Sequence, residues 1–144
     1  TLPGGSFYHA TKYAVEALSD GLRFEVQGFG IDVVVIEPGP IKTRFGDTAI
    51  AAVERVQQGN SPYAKFNAEV AGKIHEAFEG WMAAAAGAPE SVARAIEHGI
   101  TASRPRTRYP ITAAAHVMMF LRRWLPDRAF DAFLRTQYTP PRPA

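Results

Sequence analysis

The 144-residue sequence predicts an α/β fold, and three observations carry the prediction. Helix-period and strand-like segments alternate in the order helix, strand, helix, helix, strand. The stretch "IDVVVI", Ile31 to Ile36, is mostly β-branched and nearly unbroken in hydrophobicity, as suits a strand buried on both faces of a parallel sheet. A composition of 47% hydrophobic and 21% charged residues supplies enough apolar material for one core.

The elements follow in order. Ala10, Ala14, Val15, Leu18 and Leu22 form a broad apolar stripe on a helix from Phe7 to Gln27, which Gly28 and Gly30 stop. Such a stripe must pack on something. Pro38 ends the strand, and a polar, glycine-containing stretch runs to about Asn60. Ser61 and Pro62 then provide an N-cap and a first-turn proline for a second helix. Its face carries Tyr63, Phe66, Val70, Ile74, Phe78, Trp81 and Met82 at spacings of three and four. Gly87 stops it. "APESVARAIEHGI" opens a third helix with Pro89 and Glu90 in its first turn, where fixed φ and negative charge are favourable. "TRYPIT", 107–112, predicts a short strand. Helices over Ala113 to Leu125 and Asp127 to Tyr138 close the sequence, and "TPPRPA" has no helical potential.

Several functional classes lose ground on composition. With no cysteine there are no disulfides or thiolate metal sites, which fits a reducing, cytoplasmic compartment. The longest apolar stretches, such as "AAAHVMMFL", fall short of the roughly 20 residues a membrane span needs. Histidines 9, 75, 98 and 116 form no i,i+4 pair, so no metal site is expected. His75 suits either a substrate contact or a solvated helix face. Residues 1–103 hold 8 Lys/Arg against 12 Asp/Glu, while residues 104–144 hold 8 Arg against 2 Asp. The basic tail suits a solvated surface better than a nucleic-acid or membrane partner.

Two stretches carry chemistry. In "FYHATKYAVEALSDGLRFEV" Tyr8 lies four residues ahead of Lys12, so phenol and ammonium share one helix face. A free tyrosine has a pKa of about 10, and a nearby cation favours its phenolate, which makes it a usable general acid or base. With 5 Tyr and 4 Lys, chance alone supplies such a pair in about one such sequence in seven, so the pair by itself is weak. The second stretch is "EPGPIKT", Glu37 to Thr43, directly beyond the strand, where open α/β sheets bind ligands. Pro38 and Pro40 lack an N–H, Gly39 permits close backbone approach, and Ile41, Lys42 and Thr43 offer amides and a hydroxyl. Taken alone it is an ordinary Pro-Gly turn.

The order "YHATK", a helix's length, then "GIDVVVIEPGPIKT" closely resembles the catalytic half of the short-chain dehydrogenase/reductase family. The resemblance extends less specifically through "PESVARAIEHGI" and "RTRYPIT". It implies the C-terminal portion of a Rossmann-like, doubly wound parallel sheet with flanking helices, so that residues 1–144 form a partial domain. Within it, 1–43 would hold the catalytic helix, strand and nicotinamide loop, and 44–87 the substrate loop and lid helices. The next helix and last strand would occupy 88–112, and the C-terminal helices and tail 113–144.

The resemblance also implies an NAD(P)-dependent oxidoreductase that interconverts an alcohol and a ketone or aldehyde by hydride transfer. Tyr8 would exchange the proton. Lys12 would hold the nicotinamide ribose and lower the Tyr8 pKa. Pro38, Gly39, Ile41 and Thr43 would line the nicotinamide, with either NAD or NADP as cofactor. Phe45, Tyr63 and Phe66, with Phe78 and Trp81, would face an apolar substrate, and the intact protein is expected to be a homo-oligomer. The family's glycine-rich turn, upstream serine and helix asparagine do not occur in this sequence, which opens at Thr1. It is therefore expected to be a fragment, inactive alone. The competing reading is a non-catalytic module of the same fold that binds a dinucleotide or a partner.

Overall fold

The computed structural model describes residues 1–56, 61–78 and 86–141. Six α-helices and two strands are seen among them: α1 (Ser6–Val26), β1 (Val35–Glu37), α2 (Phe45–Val56), α3 (Ala64–Phe78), α4 (Pro89–Thr101), β2 (Arg108–Pro110), α5 (Ala113–Trp124) and α6 (Asp127–Gln137). The helical ends follow local chemistry. A 3-10 turn, Gln27–Phe29, closes α1, and Gly30 at φ 70° donates its N–H to the Gln27 carbonyl at 3.1 Å. Ahead of α3, the Ser61 hydroxyl accepts the Tyr63 N–H at 3.2 Å, and α5 begins where the Thr112 hydroxyl accepts the Ala115 N–H at 3.2 Å.

β1 and β2 are parallel neighbours, with Val35 opposite Arg108, Ile36 opposite Tyr109 and Glu37 opposite Pro110. The connection between them carries α2, α3 and α4, the long crossover that parallel pairing demands. A further parallel bridge joins Ile41 to Gly87. α4 lies on β1: a Cβ on Gly99 would stand 3.3 Å from a Val34 methyl. Tyr109 is buried and its hydroxyl is satisfied, 2.9 Å from His98 Nδ1 and 3.0 Å from the Arg106 N–H that it accepts.

The structure corrects the sequence reading in four places. The strand expected over Ile31 to Ile36 is a ladder only from Val35 to Glu37, because the paired segment on the β2 side is itself three residues long. That strand is half-buried and not covered on both faces. The stretch read as polar and glycine-containing folds as α2, where Ile50 and Val53 repeat at helical spacing behind Asp47 in the first turn. Finally, the apolar stripe of α1 is not packed: Val15, Leu18 and Leu22 are exposed, Leu18 at 72%, and the partly covered residues are His9, Glu16, Ser19, Arg23 and Val26. The helix turns a largely polar face inward. Trp81 and Met82, expected on the α3 face, lie outside the described residues.

Buried positions are few: Gly46, Val70, Ala86, Tyr109 and Phe130, with Thr112 as the buried polar group, among the described residues. No helix among them is long and apolar enough to cross a membrane.

Candidate active site

α1 enters the molecule through Gly4, whose φ of 83° excludes most side chains and whose Cβ would meet a Val70 methyl of α3 at 2.7 Å. That tight entry sets the first turns of α1 beside α2 and α3. Tyr8 and Lys12 share one face there, the Lys12 Nζ 5.4 Å from the centre of the Tyr8 ring. Tyr8 remains about half exposed, and its backbone carbonyl accepts the Thr11 hydroxyl at 2.7 Å. On its other flank stands Phe45, the first residue of α2, with ring centres 5.7 Å apart, and Phe78 lies 6.1 Å beyond Phe45. Gly46 lets α2 and α3 close, since a Cβ there would lie 2.8 Å from Phe78.

The loop after β1 reaches the same place through Phe45. Thr43 accepts the Phe45 N–H at 3.4 Å, so its hydroxyl belongs to the turn that delivers the Phe45 ring to Tyr8. Upstream the loop is pinned to Gly87, which donates to the Pro40 carbonyl at 2.9 Å and accepts from the Lys42 N–H at 3.0 Å. Pro38 is exposed, and Gly39 and Ile41 are half-buried.

Two expectations change here. The Lys42 amide, one of three offered to a ligand, is spent within the protein. The close approach that Gly39 permits is made by the Thr112 hydroxyl, which a Cβ at Gly39 would strike, with the Ala115 amide 3.3 Å away.

Tyr63 and Phe66 are not brought to Tyr8. They line a separate hollow of about 610 Å³ with Phe7, Leu134 and Tyr138, and Asp131 and Arg135 also border it. Tyr63 packs on Phe66 at 6.4 Å and Phe66 on Tyr138 at 6.4 Å. The tail is tied down beside it: the Thr139 N–H donates to Glu69 at 2.6 Å, which holds that carboxyl below its usual range.

The electrostatics separate into two zones. Beside Tyr8, burial followed by the N-terminal ammonium pushes His9 down, towards the neutral ring. At the end of β1, burial pushes Glu37 up, the nearby Glu16 carboxylate adds to the effect, and Arg108 opposes it. One Glu37 oxygen is buried without a hydrogen-bond partner. Glu37 and Arg108 were absent from the sequence-based site, although a charged side chain in each of two short strands is the signal that marks them. Among the described residues no group of three or more His, Asp or Glu could hold a metal ion.

Linked through the Tyr8 and Phe45 rings are thus a phenol, an ammonium and a threonine hydroxyl. A phenol beside an ammonium can pass a proton, and the ammonium and hydroxyl suit sugar hydroxyls or a carboxamide. Comparison with known proteins bears on the same segment. Residues 1–54 match the model of the family described as short chain dehydrogenase. Over 133 residues the chain is 37% identical to the uncharacterized oxidoreductase YbbO of Escherichia coli strain K12, covering 92% of this chain and 43% of that protein. It is 31% identical over 142 residues to 17-beta-hydroxysteroid dehydrogenase type 6 of Mus musculus, covering 90% and 42%. It is also 32% identical over 126 residues to the NADPH-dependent 3-dehydrocapnine reductase of Ornithobacterium rhinotracheale, covering 86% and 41%. The chain spans less than half the length of these three relatives.

Proposed function

Because the chain belongs to the short-chain dehydrogenase family, we propose that it carries the proton-transfer half of an NAD(P)-dependent oxidoreductase acting on an alcohol and its carbonyl partner. The observation that carries this reading is the Lys12 ammonium 5.4 Å from the centre of the Tyr8 ring, with Phe45 packed on that ring and the Thr43 turn holding Phe45. When bound, a nicotinamide dinucleotide would supply the redox chemistry. The protein's part is to hold and move a proton. Tyr8 Oη gives it to a carbonyl oxygen or takes it from a hydroxyl, and the Lys12 charge stabilises the negative charge that develops on the phenol oxygen. Lys12, with three donors, also suits the ribose hydroxyls, while Pro38, Gly39, Ile41 and the Thr43 hydroxyl form the wall for the nicotinamide end. The reductase named above uses NADPH, so NADPH is the first cofactor to try.

Phe45, on Tyr8, is positioned to meet the apolar body of a substrate, and the hollow of Tyr63 and Phe66 to hold a longer tail. In the intact protein the β1–β2 pair would belong to a larger doubly wound parallel sheet, and α1 to a surface joining copies. Tyr8→Phe in the intact protein tests the reading: turnover should fall by about a hundred- to ten-thousand-fold, the usual worth of general acid–base catalysis, with dinucleotide affinity retained. Unchanged turnover refutes it.

A further inference from the structure

α1 contributes no buried residue, yet it presents Tyr8 and Lys12. Within this chain its tie to the strands is polar. The link is Arg108, the first residue of β2. Its guanidinium donates from Nε and Nη2 to one Glu16 oxygen at 3.2 and 2.9 Å, and from Nη2 to Asp20 at 2.8 Å. Its Nε also stands 3.6 Å from Glu37, the last residue of β1 and the one before the Pro38-Gly39 bend. Glu16 lies one helical turn beyond Lys12. A single planar cation therefore joins the helix that bears the proton-transfer pair to the strand end that launches the loop. The planar guanidinium is suited to this, because its five donors address several carboxylates at once.

We propose that Arg108 is a positioning residue: through Glu16 and Asp20 on one side and Glu37 on the other, it sets Tyr8 and Lys12 in register with the 38–43 loop. This rests on the proton-transfer reading above. No side chain of the clamp touches the reacting atoms, so its effect is on alignment. Misplacement by about 1 Å is enough to cost on the order of a hundredfold in rate.

The clamp can be cut from either side with opposite electrostatic consequences. Glu16→Gln with Asp20→Asn removes two negative charges from surface positions and leaves the Arg108–Glu37 contact in place. Arg108→Gln removes one positive charge. In the intact protein both variants should lower kcat by about tenfold or more with substrate KM nearly unchanged, and both should speed amide hydrogen exchange in α1. If the two variants shift kcat in opposite directions, the charges act through their field and the positioning role is wrong. If kcat and α1 exchange stay at wild-type values in the Glu16/Asp20 variant, which spares Glu37, the clamp holds nothing that matters. Tyr8→Phe assayed in parallel separates the two ideas: loss of turnover there with intact clamp variants overturns the clamp alone, whereas turnover surviving Tyr8→Phe overturns the proton-transfer reading.

Discussion

At Gly39 a missing side chain does structural work that the sequence did not reveal. The sequence suggested room for a ligand, and the structure adds that Thr112, the residue that caps α5, occupies the side of Gly39 where a Cβ would stand. Gly39→Ala should therefore push Thr112 off the Ala115 amide and cost about 1–3 kcal/mol, read as a lower denaturation midpoint. Thr112→Val, which keeps the volume but drops the acceptor, should cost about 1 kcal/mol. Phe45 supplies a second residue-level test. Its ring lies between Tyr8 and Phe78, so Phe45→Ala in the intact protein should raise KM for an apolar substrate far more than Tyr63→Ala does, since Tyr63 faces the other hollow. Equal effects would place both rings on the same substrate.

Among the elements, α1 shows what sequence can and cannot convey. A 3.6-residue period and two glycines place its ends within a residue of those observed, because helix formation and stopping are local. Which face turns inward is not local. The apolar stripe of Val15, Leu18 and Leu22 points to solvent, and the inward face is held by Glu16 and Asp20 on Arg108. A strand is still less legible, since a ladder exists only where a partner matches it, which is why only Val35 and Ile36 of the six candidate residues are paired at β1, with Glu37 as the third. α2 was obscured because Gly46, Asp47 and Thr48 make its start polar and glycine-containing, whereas Ile50 and Val53 behind them carry the helical period. For the site, the i,i+4 spacing of Tyr8 and Lys12 was enough to place them together, whereas aromatic residues on the neighbouring helix could not say which hollow they line.

For the molecule as a whole, the exposure of Phe7, Leu18, Phe24 and Phe29, each above 70%, together with so few buried positions among the described residues, leaves those residues short of a core. Alone, the chain should bind a hydrophobic dye and melt over a broad range, and a sharp cooperative transition without dye binding would contradict this. Its pH response has a definite sign at Glu37. That carboxyl is pushed above its ordinary 4.5 by burial and by Glu16 and Asp20, against the pull of Arg108 and His116. Between 4.5 and the raised value the folded chain keeps a proton that the unfolded chain has released, so this group's contribution to stability is lost as pH rises through that window. Glu37→Gln should flatten that part of the stability curve, and an unaltered slope would assign it to other groups. The central claim is that Tyr8 and Lys12 work as one device, and a double-mutant cycle on kcat at saturating cofactor tests it most directly. Tyr8→Phe with Lys12→Met in the intact protein should lose little more than Tyr8→Phe alone, as groups acting as a unit do; losses that simply multiply would show two independent residues.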